Sequence, residues 1–227
     1  HRLEGIFVRS GVKISRSTMC GWISSSVQLL LPLWELLKLR VLRSFVLHTD
    51  DTVVPVLDRT KDHVRKARAW VYYGDDENPY VVLDYTTNRK RDGPATFLEK
   101  FEGYLQADAY GGYDGIYAGG RVREAACWSH ARRKIYDARS TDTYVSKRAL
   151  TYIRLLYDIE DLAIALAKQR RLAPEEFYAL RRQMRQEYSA PRLKTFREWI
   201  DGEVRARVLP RSPMGEAIGY VLNQWDA

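Results

Sequence analysis

The sequence predicts an α/β protein: a mixed sheet with flanking helices, preceded by an N-terminal helical segment and followed by an all-α region. Three observations carry this. Apolar residues before residue 45 recur at helical spacing, β-rich runs separated by turn residues fill 45–144, and the pattern beyond Ser146 is helical again. The three segments are therefore 1–44, a helical segment with a helix-turn-helix outline; 45–144, the sheet-containing core; and 145–227, an insertion-like helical region.

In the first segment, residues 2–26 read as two short helices, Leu3–Arg9 and a second one capped by Ser15 or Ser17, around a turn at Gly11-Val12. A second helix so placed presents Arg16, Ser17 and Thr18 at its N-terminus, which makes Arg16 a candidate DNA contact, although any short helix pair has this outline. Leu29 to Arg43 continues as an amphipathic helix.

The period changes at Phe45. Phe45–Val54, Ala69–Tyr73 and Tyr80–Tyr85 read as strands, the latter two joined by a polar turn with Gly74-Asp75-Asp76 and Asn78-Pro79 as an antiparallel hairpin. Pro94 to Tyr104 reads as a helix with Phe97, Leu98 and Phe101 on one side, and Tyr104 to Asp108 as a buried strand ending in a carboxylate. A Gly111-Gly112 turn, a short helix and a strand through Glu124–Trp128 follow. Three strands, a helix, a strand, a helix and a last strand is the order of a ribonuclease H-like core. Beyond it, helices are expected over 146–170, 174–188, 191–208 and 213–226, broken at Pro174, Pro191 and Pro210–Pro213. Tyr152, Leu155, Leu156, Ile159, Leu162, Ile164 and Leu166 should give the first a broad buried face.

The 227 residues are 45% hydrophobic and 29% charged, enough apolar mass for a core. Net charge is +8, and its distribution is uneven: +5 over 1–46, −1 over 47–144 and +4 over 145–227. An acidic centre between basic flanks suits carboxylates that hold metal while the flanks meet nucleic acid. Cys20 and Cys127 lie far apart, which argues against a disulfide framework and for a reducing cytoplasm. The longest apolar run, Val27 to Leu39, is interrupted by Pro32, Glu35 and Lys38, so no membrane span or signal sequence is expected. The chain starts at His1 and stops inside a helical pattern, so a fragment is expected.

Asp50 and Asp108 are the residues on which chemistry can rest. Both fall at strand ends that would be neighbours in such a sheet, so the two carboxylates can share Mg2+ or Mn2+, hard cations that take few protein oxygens and complete their shells with water and phosphate. Two ions about 4 Å apart serve in-line phosphodiester displacement. Strand-end aspartates also cap turns, and position alone leaves that reading open. Cys127 and His130 form a Cys-x-x-His pair: half a zinc site, support for the acids, or simple packing. Arg132, Arg133 and Lys134 start a helix and are candidate phosphate contacts or a solvated basic face; Arg89, at the end of a hairpin strand, is a further candidate DNA contact.

Three blocks go further. His48-Thr49-Asp50-Asp51-Thr52, Gly103 to Tyr113 (GYLQADAYGGY) and Cys127 to Lys134 (CWSHARRK) resemble, in order, the His-Ala-Asp-Glu-Thr, Gly-x-Leu-x-x-Asp-Gly-Tyr-x-x-Tyr and Cys-Trp-Ala-His-x-Arg-Arg-Lys patterns of the insertion-sequence-sixty-six family of bacterial DDE transposases. Asp51 stands where that family usually has Glu. The resemblance implies metal-dependent DNA cleavage and strand transfer, with Asp50 and Asp108 as the first two catalytic acids and metal ligands and two Mg2+ or Mn2+ ions in the complete enzyme. It further implies transposon ends and target DNA as partners, a homodimer, accessory proteins of the same element, and a cytoplasmic, nucleoid-associated location. The third acid of the family lies in an Asp-Asn-Asn-x-x-Glu motif, and the only asparagines here are Asn78, Asn88 and Asn223. The fragment is therefore expected to be inactive alone. A DNA-binding remnant and a ribonuclease H-like nuclease, the latter drawing a carboxylate such as Asp158 or Glu160 to the site, are the alternatives.

Overall fold

The computed structural model describes residues 2–58 and 63–227. The chain divides into two compact units, His1–Ala125 and Ala126–Ala227.

The first unit begins with α1 (Arg2–Arg9) and α2 (Arg16–Val41). Ser15 caps α2 by accepting from the Thr18 N–H, as its hydroxyl and extended backbone allow. Of the two short helices expected over 2–26, the first forms as α1, one residue longer than expected, and the second is not short. The second runs unbroken through Pro32 as a 26-residue helix, taking in the amphipathic stretch expected from Leu29. Its C-terminal half is the anchored part: Trp34 donates its indole N–H to the Leu83 carbonyl at 2.9 Å and packs edge-on against Phe97, and Val41 is fully buried.

The sheet follows: β1 (Val46–Val56), β2 (Arg65–Tyr73), β3 (Val81–Thr86), β4 (Gly103–Ala107) and β5 (Val122–Ala126), in the order β3-β2-β1-β4-β5. β1–β2 and β2–β3 pair antiparallel, and β1–β4 pair parallel. The sheet is thus mixed, with the expected hairpin. Its core face alternates, with Leu47 and Thr49 of β1 on the same side as Trp70 and Tyr72 of β2 and Thr49 directly opposite Tyr72; Tyr72 stacks on Phe97 with ring centroids 3.6 Å apart.

The helix expected over Pro94–Tyr104 is shorter, α3 (Asp92–Phe97). Phe97, Leu98 and Phe101 are all buried, but the chain leaves the helix after Phe97 so that Gly103 can enter β4. Gly103 sits at φ 137°, and a Cβ there would lie 2.5 Å from the Phe45 carbonyl oxygen, so only glycine fits. α4 (Asp114–Tyr117) is the expected short helix. The last strand ends at Ala126, two residues before its expected end, because Trp128 already belongs to α5 (Trp128–Asp137).

The second unit is helical: α5, α6 (Thr143–Arg170), α7 (Pro174–Met184), α8 (Ala190–Trp199), α9 (Arg205–Arg207) and α10 (Pro213–Asn223). Asp142 caps α6 by accepting from the Val145 N–H at 3.0 Å, and Arg171 ends it in the left-handed region. Pro191 does not break the chain. A π-helical turn, Arg185–Ser189, carries α7 into α8; the wider turn absorbs the hydrogen bond proline cannot donate. The broad buried face expected on α6 is narrower and rotated. Val145, Ala149, Ile153, Ile159 and Ala163 are buried, whereas Leu155, Leu162 and Ile164 are exposed. The core is aromatic: Tyr152 stacks on Phe196 at 4.7 Å, and Phe196 packs against Trp199 and Trp225.

Candidate functional site

β1 and β4 position the acids. In their parallel register Val46 stands beside Tyr104 and His48 beside Gln106, an offset of 58 (104 − 46) that puts Asp50 level with Asp108. Asp108 immediately follows β4, as expected. Asp50 differs from expectation: it lies in the middle of β1, because the strand continues to Val56 against β2, and it is only the pairing with β4 that ends before it. Beyond that pairing, the Asp50 carboxylate accepts from the N–H of the next residue, Asp51, at 2.8 Å.

Asp50, Asp51 and Asp108 each bring one carboxylate oxygen into a group whose members all lie within 4.8 Å of one another. Three carboxylates so close repel one another, and the cluster requires cations. Two are built in. Asp51, with its side chain 1% exposed, accepts from Arg68 Nη1 at 2.8 Å through one oxygen and from Arg89 Nε and Nη2 at 2.9 and 2.7 Å through the other. Arg89 Nη2 also reaches Asp108 Oδ2 at 3.1 Å. Burial pulls the Arg89 guanidinium down, but its bonds to Asp51 and the charges of Asp51 and Asp108 outweigh that and hold it above its ordinary value.

Tyr110 fixes Arg89 from behind. Its ring lies 4.1 Å from the guanidinium carbon, and its hydroxyl donates to the Arg89 carbonyl. Tyr110 in turn packs against Trp70 and Tyr113. Tyr113 is 1% exposed; burial first, then the nearby charges of Asp108, Asp51 and Asp50, push its hydroxyl up, so it stays neutral beside the acids. Gly112 packs so tightly on the Tyr110 ring that a Cβ would collide with it.

Sequence reasoning chose Asp50, Asp108 and Arg89, which the fold brings together, but gave Asp51 no role and missed Arg68, Tyr110 and Tyr113. Strand alternation contained the signal for two of them. Asp51 shares the core face with Leu47 and Thr49, and Arg68 shares it with Trp70 and Tyr72, diagonally across the β1–β2 pair.

The other chosen residues lie elsewhere. Arg16 is the first residue of α2. Cys127 is the half-buried N-cap position of α5, and His130 lies in that helix's first turn. Among the described residues neither joins a group of three metal-ligating side chains. Arg132, Arg133 and Lys134 are exposed on α5, with Arg132 lining an open groove alongside Leu150, Thr151, Arg154 and Tyr157 of α6. Lys134 sits 4.8 Å from the Tyr220 ring. Glu160 is held by Arg181 Nε at 2.5 Å and Arg185 Nε at 2.6 Å, and Asp158 faces Arg154 at 3.7 Å. Among the described residues, no helix is long and apolar enough to cross a membrane.

Comparison with known proteins matches residues 1–227 to the model of the Transposase IS66 family. The uncharacterized protein y4hP of Sinorhizobium fredii is 27% identical over 249 residues, covering 100% of this chain and 43% of that protein. The uncharacterized protein y4qI of the same organism is 30% identical over 243 residues, again 100% of this chain and 43% of the relative. The chain thus spans less than half the length of the relatives it matches.

Proposed function

The chain belongs to the IS66 family of transposases, and from that premise we propose that its acid cluster is the metal-holding part of a DNA strand-cleavage and strand-transfer centre of DDE type. The observation that carries this is the level placement of Asp50 and Asp108 on adjacent parallel strands, with oxygens of both and of Asp51 within 4.8 Å. The element order, three strands, a helix, a strand, a short helix and a strand, supports a ribonuclease H-like core around it.

The donor set fits a hard divalent cation. Its carboxylate oxygens, all within 4.8 Å of one another, are the hard ligands such a cation takes, with water and phosphate completing its shell. Asp50 and Asp108 would hold Mg2+ or Mn2+; two ions in the complete enzyme would polarise the scissile phosphate and the attacking hydroxyl. This chain's own contribution is positioning: β1 and β4 fix the acids, and Arg68 and Arg89 balance the third carboxylate. DNA is the partner that the family and the net charge of +8 support. Arg132, Arg133 and Lys134, exposed together on one helix, are the side chains best placed for phosphate contact within the second unit. A homodimer, accessory proteins and a nucleoid-associated location remain what the family resemblance implies. The nuclease alternative finds no support in Glu160, which is engaged by two arginines of its own unit.

The test is a Mn2+ titration followed by electron paramagnetic resonance of the free ion. Wild type should bind Mn2+, and Asp50→Asn and Asp108→Asn should each lose it. Binding of equal affinity and stoichiometry in both variants would remove these acids from the metal site.

A further inference from the structure

Resting on that metal reading, we propose that Arg89 is a built-in counter-cation that competes with the divalent metal for Asp108, and that Asp51 is the anchor of Arg89 instead of a third metal ligand. The division of labour follows from how the bonds are shared. Arg89 places two donors on Asp51, Nη2 at 2.7 Å and Nε at 2.9 Å, and only Nη2 on Asp108, at 3.1 Å. Its hold on Asp51 is the stronger one.

Asp51 is also the acid least suited to a metal. Both of its oxygens accept from guanidinium groups and its side chain is 1% exposed, so a cation there must displace two arginines where water hardly reaches. Asp108 is 25% exposed and shares one bond with Arg89, and Asp50 is exposed. A metal therefore meets less guanidinium competition at Asp108 than at Asp51, but there it must still contend with one neighbouring positive charge.

Arg89 is confined to this role from behind. Tyr110 stacks on its guanidinium at 4.1 Å and binds its backbone carbonyl, so the side chain can pivot on Asp51 but has little room to leave. Release of one Nη2 bond frees Asp108 for the metal and leaves an N–H, still anchored through Asp51, for a phosphate oxygen.

The experiment measures Mn2+ dissociation constants of wild type, Arg89→Gln, Arg89→Lys, Asp51→Asn and Asp108→Asn by the same resonance method, at low temperature so that each variant is folded. Arg89→Gln should tighten Mn2+ binding on the order of tenfold, a modest factor because Arg89 is 34% exposed and partly screened. Arg89→Lys keeps the charge but not the fork and should fall between. Asp51→Asn should still bind Mn2+, whereas Asp108→Asn should not. A residue that merely supports the fold would loosen metal binding when removed, so tightening is specific to competition. Unchanged or weaker binding in Arg89→Gln, with binding lost in Asp108→Asn, overturns the counter-cation role and leaves the metal site standing. Loss in Asp51→Asn equal to that in Asp108→Asn overturns the anchor assignment. No Mn2+ binding by wild type or Arg89→Gln overturns both this role and the metal reading.

Discussion

Asp51→Asn tests the arrangement by stability alone. The substitution keeps the side chain's shape but removes the charge that accepts three bonds from Arg68 and Arg89, and it turns an amide N–H2 toward one guanidinium. Breaking a buried ion pair from one side costs about 3–5 kcal/mol when the remaining charge stays buried. Here Arg68 and Arg89 are 21% and 34% exposed and can recover some hydration, which lowers the expected loss to about 2–3 kcal/mol. In a unit of this size that is a fall in Tm of roughly 10 °C. Because the chain has two compact units, the readout should be regional: amide hydrogen exchange across 46–56 and 65–73, the two strands that carry Asp51 and Arg68. Protection there should drop while that of 143–170 is unchanged. A fall in Tm below about 2 °C with β1 and β2 still protected would show that the two arginines do not depend on Asp51, and the reasoning would fail.

Two further outcomes are expected. Glu160 experiences burial, which raises its pKa, but the hydrogen bonds and charges of Arg185 and Arg181 prevail and hold it below the usual range. Its stabilisation is therefore present above the unfolded glutamate value, about 4.3, and is lost as pH falls through the lower folded value. Glu160→Gln should cost about 1 kcal/mol at pH 7, after allowance for solvent screening, and its urea midpoint should converge on wild type as the pH drops below about 4. Gly103→Ala forces a left-handed backbone and a Cβ 2.5 Å from the Phe45 carbonyl oxygen; it should cost about 2 kcal/mol or more and uncouple β4 from β1, seen as lost amide protection at Tyr104 and Leu105.

Much of the fold was legible because the dominant signals are local. Alternating runs gave the three antiparallel strands, and Ser15 caps a helix as expected, whereas the Asp142 cap starts α6 at Thr143, three residues before the expected start at 146. What was hidden depends on neighbours. Pro191 suggests a break, but it follows a π-helical turn that relieves it. The apolar face of α6 was misplaced for a related reason. Small residues, Ala149 and Ala163, are buried on it, while larger Leu162 and Ile164 point outward, and size on its own does not tell which side meets a partner helix.

The site shows the same limit more sharply. Asp50 and Asp108 could be found because each is flanked by a distinctive block of sequence, but their importance was read as that of a pair. Asp51 changes this. Alternation along β1 puts a carboxylate on the core face two residues after buried Thr49, and a buried charge without a partner would cost several kcal/mol. That cost requires cations nearby, and the core-face periodicity of β2 supplies one of them in Arg68. The other, Arg89, comes from beyond β3, at a distance of 38 residues along the chain from Asp51, which no local pattern reveals. Once both arginines are in place, Asp51 is electrically satisfied, while Asp108 accepts the one Nη2 bond from Arg89 and Asp50, level with it, accepts from the Asp51 N–H. Asp50 and Asp108 are also more open to solvent than Asp51, so on the proposed metal reading a divalent cation would displace less at Asp108, with its one guanidinium bond, than at Asp51, with three.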